Sequence, residues 1–218
     1  MRSVLEILIF LALTISYGLN HSRYQYIKKK TNTDMRHNFK KVAQNFVRMI
    51  YFDKKCRLIG DLEAIKNGAI LYSIHFGVWE LMPQIIKRYT NHDIGILVNR
   101  YTDNNPFLTG KLMDRFFYYW RSNYNAKVFY PDEVFRIVKF IKNRGIFAVL
   151  VDGDRFFSKL KKVEKLARLC RVPLIPFAVY CENETTIMKV GGNLEELVRN
   201  RPYDYWWFYK SRKGSGNQ

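Results

Sequence analysis

Short apolar runs alternate with amphipathic segments along the chain from residue 69 onward. The apolar runs lack polar positions at every second residue, which is typical of strands buried on both faces of a sheet. They lie at 69–75, 93–99, 126–129, 146–151, 175–181 and 186–190. Segments with helical periodicity lie at 39–50, 78–89, 107–122, 132–142 and 159–171. This alternation predicts an α/β fold with a mainly parallel central sheet flanked by helices.

Two helices carry boundary signals. Pro83 lies too deep in 78–89 for a straight helix, so it should kink that helix or shorten its first turn. In 132–142, Asp132 is predicted to cap the amino terminus and Gly145 to stop the helix.

The amino-terminal segment 4–19 is mostly apolar, is interrupted by Glu6, and is shorter than the roughly 20 residues of a spanning helix. It fits an uncleaved anchor that spans marginally, a helix in the membrane interface, or a buried first helix of the core. Basic residues follow at Arg23, Lys28, Lys29, Lys30, Arg36, Lys40 and Lys41. This flank predicts that the body stays on the cytoplasmic side. We expect an anchor and basic flank at 1–30, one domain at 31–213 and a flexible tail at 214–218.

The chain of 218 residues carries a net charge of +18, which indicates an anionic partner. Nucleic acid, an anionic membrane surface, an acidic protein and phosphorylated substrates all qualify. No nucleic-acid-binding motif is visible in the sequence, and the apolar amino terminus favours a membrane surface over nucleic acid. Three cysteines and four histidines show no metal-binding or redox spacing, so we expect no metal and no cofactor.

The candidate chemistry lies at 75–80, HFGVWE, directly after a predicted strand. His75 should therefore stand at the carboxyl end of that strand, where open α/β sheets place their sites. Gly77 permits a tight turn, which would let Glu80 reach imidazole Nδ1 and leave Nε2 as a general base. The backbone N–H groups of Gly77 and Val78 are candidate oxyanion donors. Alternatively, Glu80 only faces a helix dipole and His75 is a structural histidine.

These six residues resemble the HxxxxE motif of the late acyltransferases of lipid A biosynthesis, the lauroyl- and myristoyl-transferase group. Three further blocks resemble that family in the same order. They are 99–108 with Arg100, 144–154 with Asp152, and the Pro-x-x-Tyr-x-Trp segment within 201–213. The resemblance covers roughly 61–213. The chain departs from the family where Gly153 follows Asp152, where the next segment is shorter, and at Tyr209 and Ser211.

The resemblance implies the glycerolipid-acyltransferase fold and the transfer of a fatty acyl chain from a thioester donor to a hydroxyl of a lipid A precursor or related glycolipid. The implied donor is acyl carrier protein, or acyl-coenzyme A, and the implied location is the cytoplasmic face of the inner membrane. His75 would be the base and Glu80 its orienter. The implied substrate-binding residues are Arg100, Asp152, Gly77 and Arg121.

Alternatives from other classes are a catalytically inactive, lipid-binding relative and, less favoured, a nucleic-acid-binding protein. The aromatic clusters 116–120 and 205–209 suit an acyl pocket, an interfacial belt, base stacking or core packing. The basic residues between 159 and 168 form either a solvated helix face or a docking patch for an acidic carrier protein.

Overall fold

The computed structural model describes residues 2–19, 35–51, 55–103, 108–123, 126–152 and 157–206. In this part of the chain, seven strands form one sheet with helices on both faces. All neighbouring strands are parallel except one antiparallel pair. The predicted α/β fold with a mainly parallel sheet is thereby confirmed.

The strands follow the sheet order β1-β7-β6-β2-β5-β3-β4, and β6 and β7 form the antiparallel pair. They are β1 (Cys56–Ile59), β2 (Ala69–Ser73), β3 (Ile94–Leu97), β4 (Ala126–Phe129), β5 (Ile146–Leu150), β6 (Leu174–Glu182) and β7 (Thr185–Val190). The central strands β2 and β5 match the predicted runs closely. The edge strand β1 was not predicted, because its four residues are alternately half-buried and exposed and leave no apolar run.

The α-helices in the described ranges are α1 (Arg2–Leu19), α2 (Met35–Ile50), α3 (Met82–Tyr89), α4 (Leu108–Asn123), α5 (Val134–Lys142), α6 (Leu160–Cys170) and α7 (Leu194–Asn200). Short 3₁₀ turns lie at Glu63–Ile65, Trp79–Leu81, Tyr101–Asp103 and Pro202–Asp204. The short α7 was also not predicted. Asn193 caps it by accepting hydrogen bonds from the backbone N–H groups of Glu195 and Glu196.

The two faces of the sheet carry separate sets of helices. One face packs against α2, α3 and α4, and the other against α5, α6 and α7. In β2, Leu71 points into the first core and Ile70 into the second. Both faces of β2 are therefore covered by helices, which explains why its sequence is a continuous apolar run.

The boundary predictions had mixed outcomes. Pro83 lies in the first turn of α3, and the 3₁₀ turn before it takes up the rest of the predicted helix, as expected. The capping role predicted for Asp132 is wrong, because α5 begins at Val134 and the Asp132 carboxylate binds Arg100 instead. The helix ends before Gly145, and Arg144 adopts the left-handed backbone conformation there.

At the amino terminus, α1 lies against α2 and exposes the apolar side chains Val4, Ile7, Leu8 and Leu11. Within the described ranges, no helix is both long enough and apolar enough to cross a membrane. The spanning form of the predicted anchor is therefore not supported. The predicted tail at 214–218 lies outside the described residues. So does most of the basic flank, at 20–34.

Candidate active site

His75 lies just beyond β2, at the carboxyl edge of the parallel strands. The neighbouring strand β5 ends in register with β2, with Ser73 opposite Leu150. Two residues past that point, Asp152 is buried at the same edge. The His75 side chain is 24% exposed and is therefore open to solvent. The sheet thus brings together two residues that are 77 positions apart in the chain.

Asp152 accepts two hydrogen bonds from His75. One carboxylate oxygen lies 2.7 Å from Nδ1, and the other accepts from the backbone N–H at 3.0 Å. An ionised carboxylate only accepts, so Nδ1 carries a proton, and in the neutral form of the ring Nε2 then carries the lone pair. The prediction that Glu80 is the carboxylate on Nδ1 is wrong, because that position belongs to Asp152.

Glu80 instead forms a bidentate ion pair with Arg121 of α4. Its Oε1 lies 2.6 Å from Nη2 of Arg121, and its Oε2 accepts from Nε at 3.1 Å. Both side chains are almost buried. The fork geometry fixes their relative orientation, so the pair ties α4 to the turn that follows His75. Both residues were candidates from the sequence, but their contact was not predicted.

Gly77 makes the close turn possible, but its amide is not available for an oxyanion. Its φ is +59°, and a Cβ atom there would lie 2.1 Å from the carbonyl oxygen of Val179. The N–H of Gly77 donates to the carbonyl of Asp204 at 2.7 Å. The N–H of Val78 donates to the carbonyl of Val179 at 2.8 Å. Both amides are already bonded, so the prediction that they form an oxyanion hole is wrong.

The segment 201–206 closes over the His75 turn. The backbone N–H of Trp206 donates to the carbonyl of His75 at 2.8 Å, and its indole Nε1 donates to the carbonyl of Gly77 at 3.0 Å. Phe76 and Tyr205 form an antiparallel bridge between the two segments. These bonds hold the carboxy-terminal block against the candidate site.

The closing segment is itself fixed by Asp204, a buried carboxylate. Its side chain accepts from Asn45 Nδ2 at 3.1 Å and from Arg201 Nε at 2.9 Å. The ammonium group of Lys41 lies 3.8 Å away. Helix α2 therefore helps to hold the segment that covers the site.

Three aromatic residues surround the His75–Asp152 pair and were not named as site residues. Tyr205 is buried and hydrogen bonds to Asp152; burial and then the negative charge of Asp152 raise the pKa of its hydroxyl. The ring of Trp79 lies edge-on to His75 at 5.0 Å and to Trp206 at 4.7 Å. The sequence signals for Tyr205 and Trp206 were the carboxy-terminal block 201–213 and the aromatic cluster 205–209.

Arg100 lies beyond β3, at the same edge of the sheet, but β5 separates β3 from β2. Its guanidinium donates to both carboxylate oxygens of Asp132, at 2.9 and 3.1 Å, and stacks on the Tyr130 ring at 4.1 Å. The hydrogen bonds from Arg100 hold the pKa of Asp132 below its usual value. The structure therefore places Arg100 in an exposed ion pair and not beside His75.

Among the described residues, no three His, Cys, Asp or Glu side chains are grouped to hold a metal ion. The arrangement present is that of acid–base chemistry: an imidazole with a fixed tautomer, a buried carboxylate behind it and an aromatic wall beside it.

Comparison with models of known protein families found none that matches the chain. A search of curated proteins likewise found no significant match.

Proposed function

We propose that this chain is a membrane-associated acyltransferase that moves a fatty acyl group from a thioester donor to a lipid hydroxyl. The expected donor is acyl carrier protein, and the expected acceptor is a lipid A precursor or a related glycolipid. The observation that carries the proposal is the bond from His75 Nδ1 to the buried Asp152 at the carboxyl edge of the sheet. The four blocks that resemble the late acyltransferases supply the substrate class.

In this proposal Nε2 of His75 takes the proton of the acceptor hydroxyl while its oxygen attacks the thioester carbonyl carbon. A C–O bond forms and the C–S bond breaks, after which the imidazolium returns the proton to the departing thiolate. Asp152 stabilises the imidazolium through Nδ1 and keeps the ring oriented. Attack is direct, so the reaction needs no covalent acyl-enzyme.

Other residues act by holding this arrangement. The Glu80–Arg121 pair fixes the turn after His75 against α4. Trp79 and Trp206 supply an apolar wall next to the imidazole, suited to the first carbons of an acyl chain. To bind a phosphorylated or carrier-linked substrate, the Arg100 guanidinium must break its ion pair with Asp132 or contact both groups at once.

Membrane association is supported by two observations. The chain carries a net charge of +18, and α1 exposes the apolar side chains Val4, Ile7, Leu8 and Leu11. Basic residues near a membrane contribute about 1 kcal/mol each toward binding anionic lipid. Such a protein would work at the cytoplasmic face of the inner membrane, with α1 lying in the interface.

The test is transfer of labelled acyl groups from acyl carrier protein to a lipid A precursor, with wild type, His75→Ala and His92→Ala compared. His92 is the matched control, because it precedes β3 and thus lies at the amino edge of the parallel strands. Loss of a positioned base should lower the rate about 10²–10⁴-fold in His75→Ala alone. Equal activity in His75→Ala and wild type would remove His75 from the mechanism.

A catalytically inactive lipid-binding protein is the second candidate, favoured by the exposed apolar residues of α1. Its signature would be binding of labelled glycolipid by both wild type and His75→Ala, with no transfer by wild type from any of several donors. That result would end the acyltransferase proposal and support lipid binding alone.

A further inference from the structure

Helix α4 carries an apolar stripe on its outer side. Leu112, Phe116 and Tyr119 are 57%, 61% and 66% exposed, and we call these three residues the α4 stripe. Spacings of four and three residues place them on one face of the helix. Large apolar side chains aligned on a surface mark a contact with something outside the domain.

Basic and aromatic residues border the stripe. Lys111 and Arg115 are exposed on one side of it, together with Tyr118. An apolar face beside lysine, arginine and tyrosine is typical of a helix that lies in the membrane interface. The 16 residues of α4 reach about 24 Å, too short to cross the roughly 30 Å hydrocarbon core.

The opposite side of α4 is bound to the domain. Trp120 packs into the core, and Asp114 accepts hydrogen bonds from the backbone and hydroxyl of Thr102. Arg121 forms the ion pair with Glu80. The stripe is thus the outward face of a firmly attached helix.

We propose that the α4 stripe inserts into the interfacial layer of an anionic lipid bilayer. Charge complementarity selects this occupant, because Lys111, Arg115 and the net charge of +18 match anionic headgroups. A second copy of the chain would bring the same positive charges into apposition and would be repelled. The inference deepens the proposed function, since the helix that meets the lipid also holds Glu80 in the turn after His75.

Vesicle flotation of the full chain tests this. We compare vesicles of phosphatidylcholine alone with vesicles that also contain phosphatidylglycerol. Wild type should float with the anionic vesicles, and Leu112→Ser/Phe116→Ser should bind them at least about tenfold more weakly. Lys111→Gln/Arg115→Gln should lose about fivefold in affinity per charge, on anionic vesicles only, and less at high salt.

The matched control is Phe135→Ser. Phe135 is 92% exposed on α5, which packs on the other face of the sheet from α4. Phe135→Ser should bind vesicles like wild type. If circular dichroism shows that the double variant is unfolded, Phe116→Ser alone is used. It should bind anionic vesicles several-fold more weakly than wild type.

Flotation of the stripe variants equal to that of wild type would overturn the inference and leave membrane contact to α1 or other segments. A change in oligomeric state by sedimentation, without a change in vesicle binding, would also overturn it and assign the stripe to a second copy. The outcome is separate from catalysis, because His75→Ala should float like wild type. Stripe-dependent flotation without acyl transfer by wild type would end the proposed function and leave this inference standing.

Discussion

The carboxylate of Asp152 holds His75 at two points, the ring Nδ1 and the backbone N–H. Rotation of the imidazole would break the Nδ1 bond, while the backbone bond keeps residue 75 beside the segment that follows β5. The ring tautomer and the ring position are therefore fixed by a single residue.

Asp152→Asn should keep much of this geometry but remove the charge that stabilises the imidazolium. We expect kcat to fall about 10²–10⁴-fold, with a smaller change in substrate binding. Steady-state kinetics of acyl transfer would measure it, with the surface variant Asp93→Asn as the control. A kcat for Asp152→Asn within experimental error of wild type would exclude the carboxylate from the mechanism.

Glu80→Ala should destabilise the fold, because it leaves the almost buried Arg121 without its carboxylate. The expected loss in the free energy of unfolding is about 3 kcal/mol, measured by urea denaturation. The double variant Glu80→Ala/Arg121→Ala should lose about 1–3 kcal/mol less than the sum of the single variants. Additive losses would show that the two side chains do not interact in solution.

Gly77→Ala should be far more harmful than Gly191→Ala. Both glycines have positive φ, so each alanine variant bears about 1–2 kcal/mol of backbone strain. A Cβ at position 77 also meets the carbonyl of Val179, whereas nothing lies within 4 Å of one at 191. We expect Gly77→Ala to be less stable than Gly191→Ala by at least about 2 kcal/mol, measured by thermal unfolding. Equal stability of the two would show that the turn relaxes around the methyl group.

Tyr205→Phe should change the stability of the protein at high pH. The pKa of Tyr205 is raised in the folded state by burial and by Asp152, above an unfolded value of about 10. The contribution of the Tyr205 hydroxyl to the free energy of unfolding is complete below about pH 10. It is lost as pH rises above that value, because Tyr205 then ionises first in the unfolded chain. Unfolding free energies measured from pH 8 to 11 should therefore fall more steeply in wild type than in Tyr205→Phe. Parallel curves would mean that Tyr205 is not buried against Asp152.

Arg100→Ala and Asp132→Asn separate binding from structure at the exposed ion pair. If Arg100 binds the substrate phosphate, Arg100→Ala should raise KM about tenfold with kcat little changed. Asp132→Asn removes the competing carboxylate and should leave KM unchanged or lower it. A KM for Arg100→Ala equal to that of wild type would limit Arg100 to its contacts with Asp132 and Tyr130.

The secondary structure was largely predictable where packing is uniform. Strands β2 and β5 are covered on both faces, so all their positions except Ser73 are aliphatic or aromatic and the run is plain in the sequence. By contrast, β1 has four residues that are alternately half-buried and exposed, and α7 has seven, too few for a clear helical periodicity although Asn193 caps it. The capping prediction for Asp132 failed because Arg100, a distant residue in the chain, binds its carboxylate.

The sequence by itself determined the α/β architecture, the position of His75 at a strand end and the need for glycine at 77, because each depends on residues close together in the chain. Only the tertiary structure decided which groups meet at the site. Pairing of β2 with β5 brings Asp152 to the imidazole, and the packing of α4 brings Arg121 to Glu80. The carbonyls of Asp204 and Val179 accept hydrogen bonds from the backbone N–H groups of Gly77 and Val78. These contacts follow from strand order and helix packing, which are set by burial summed over the whole sheet and are not encoded in any one segment.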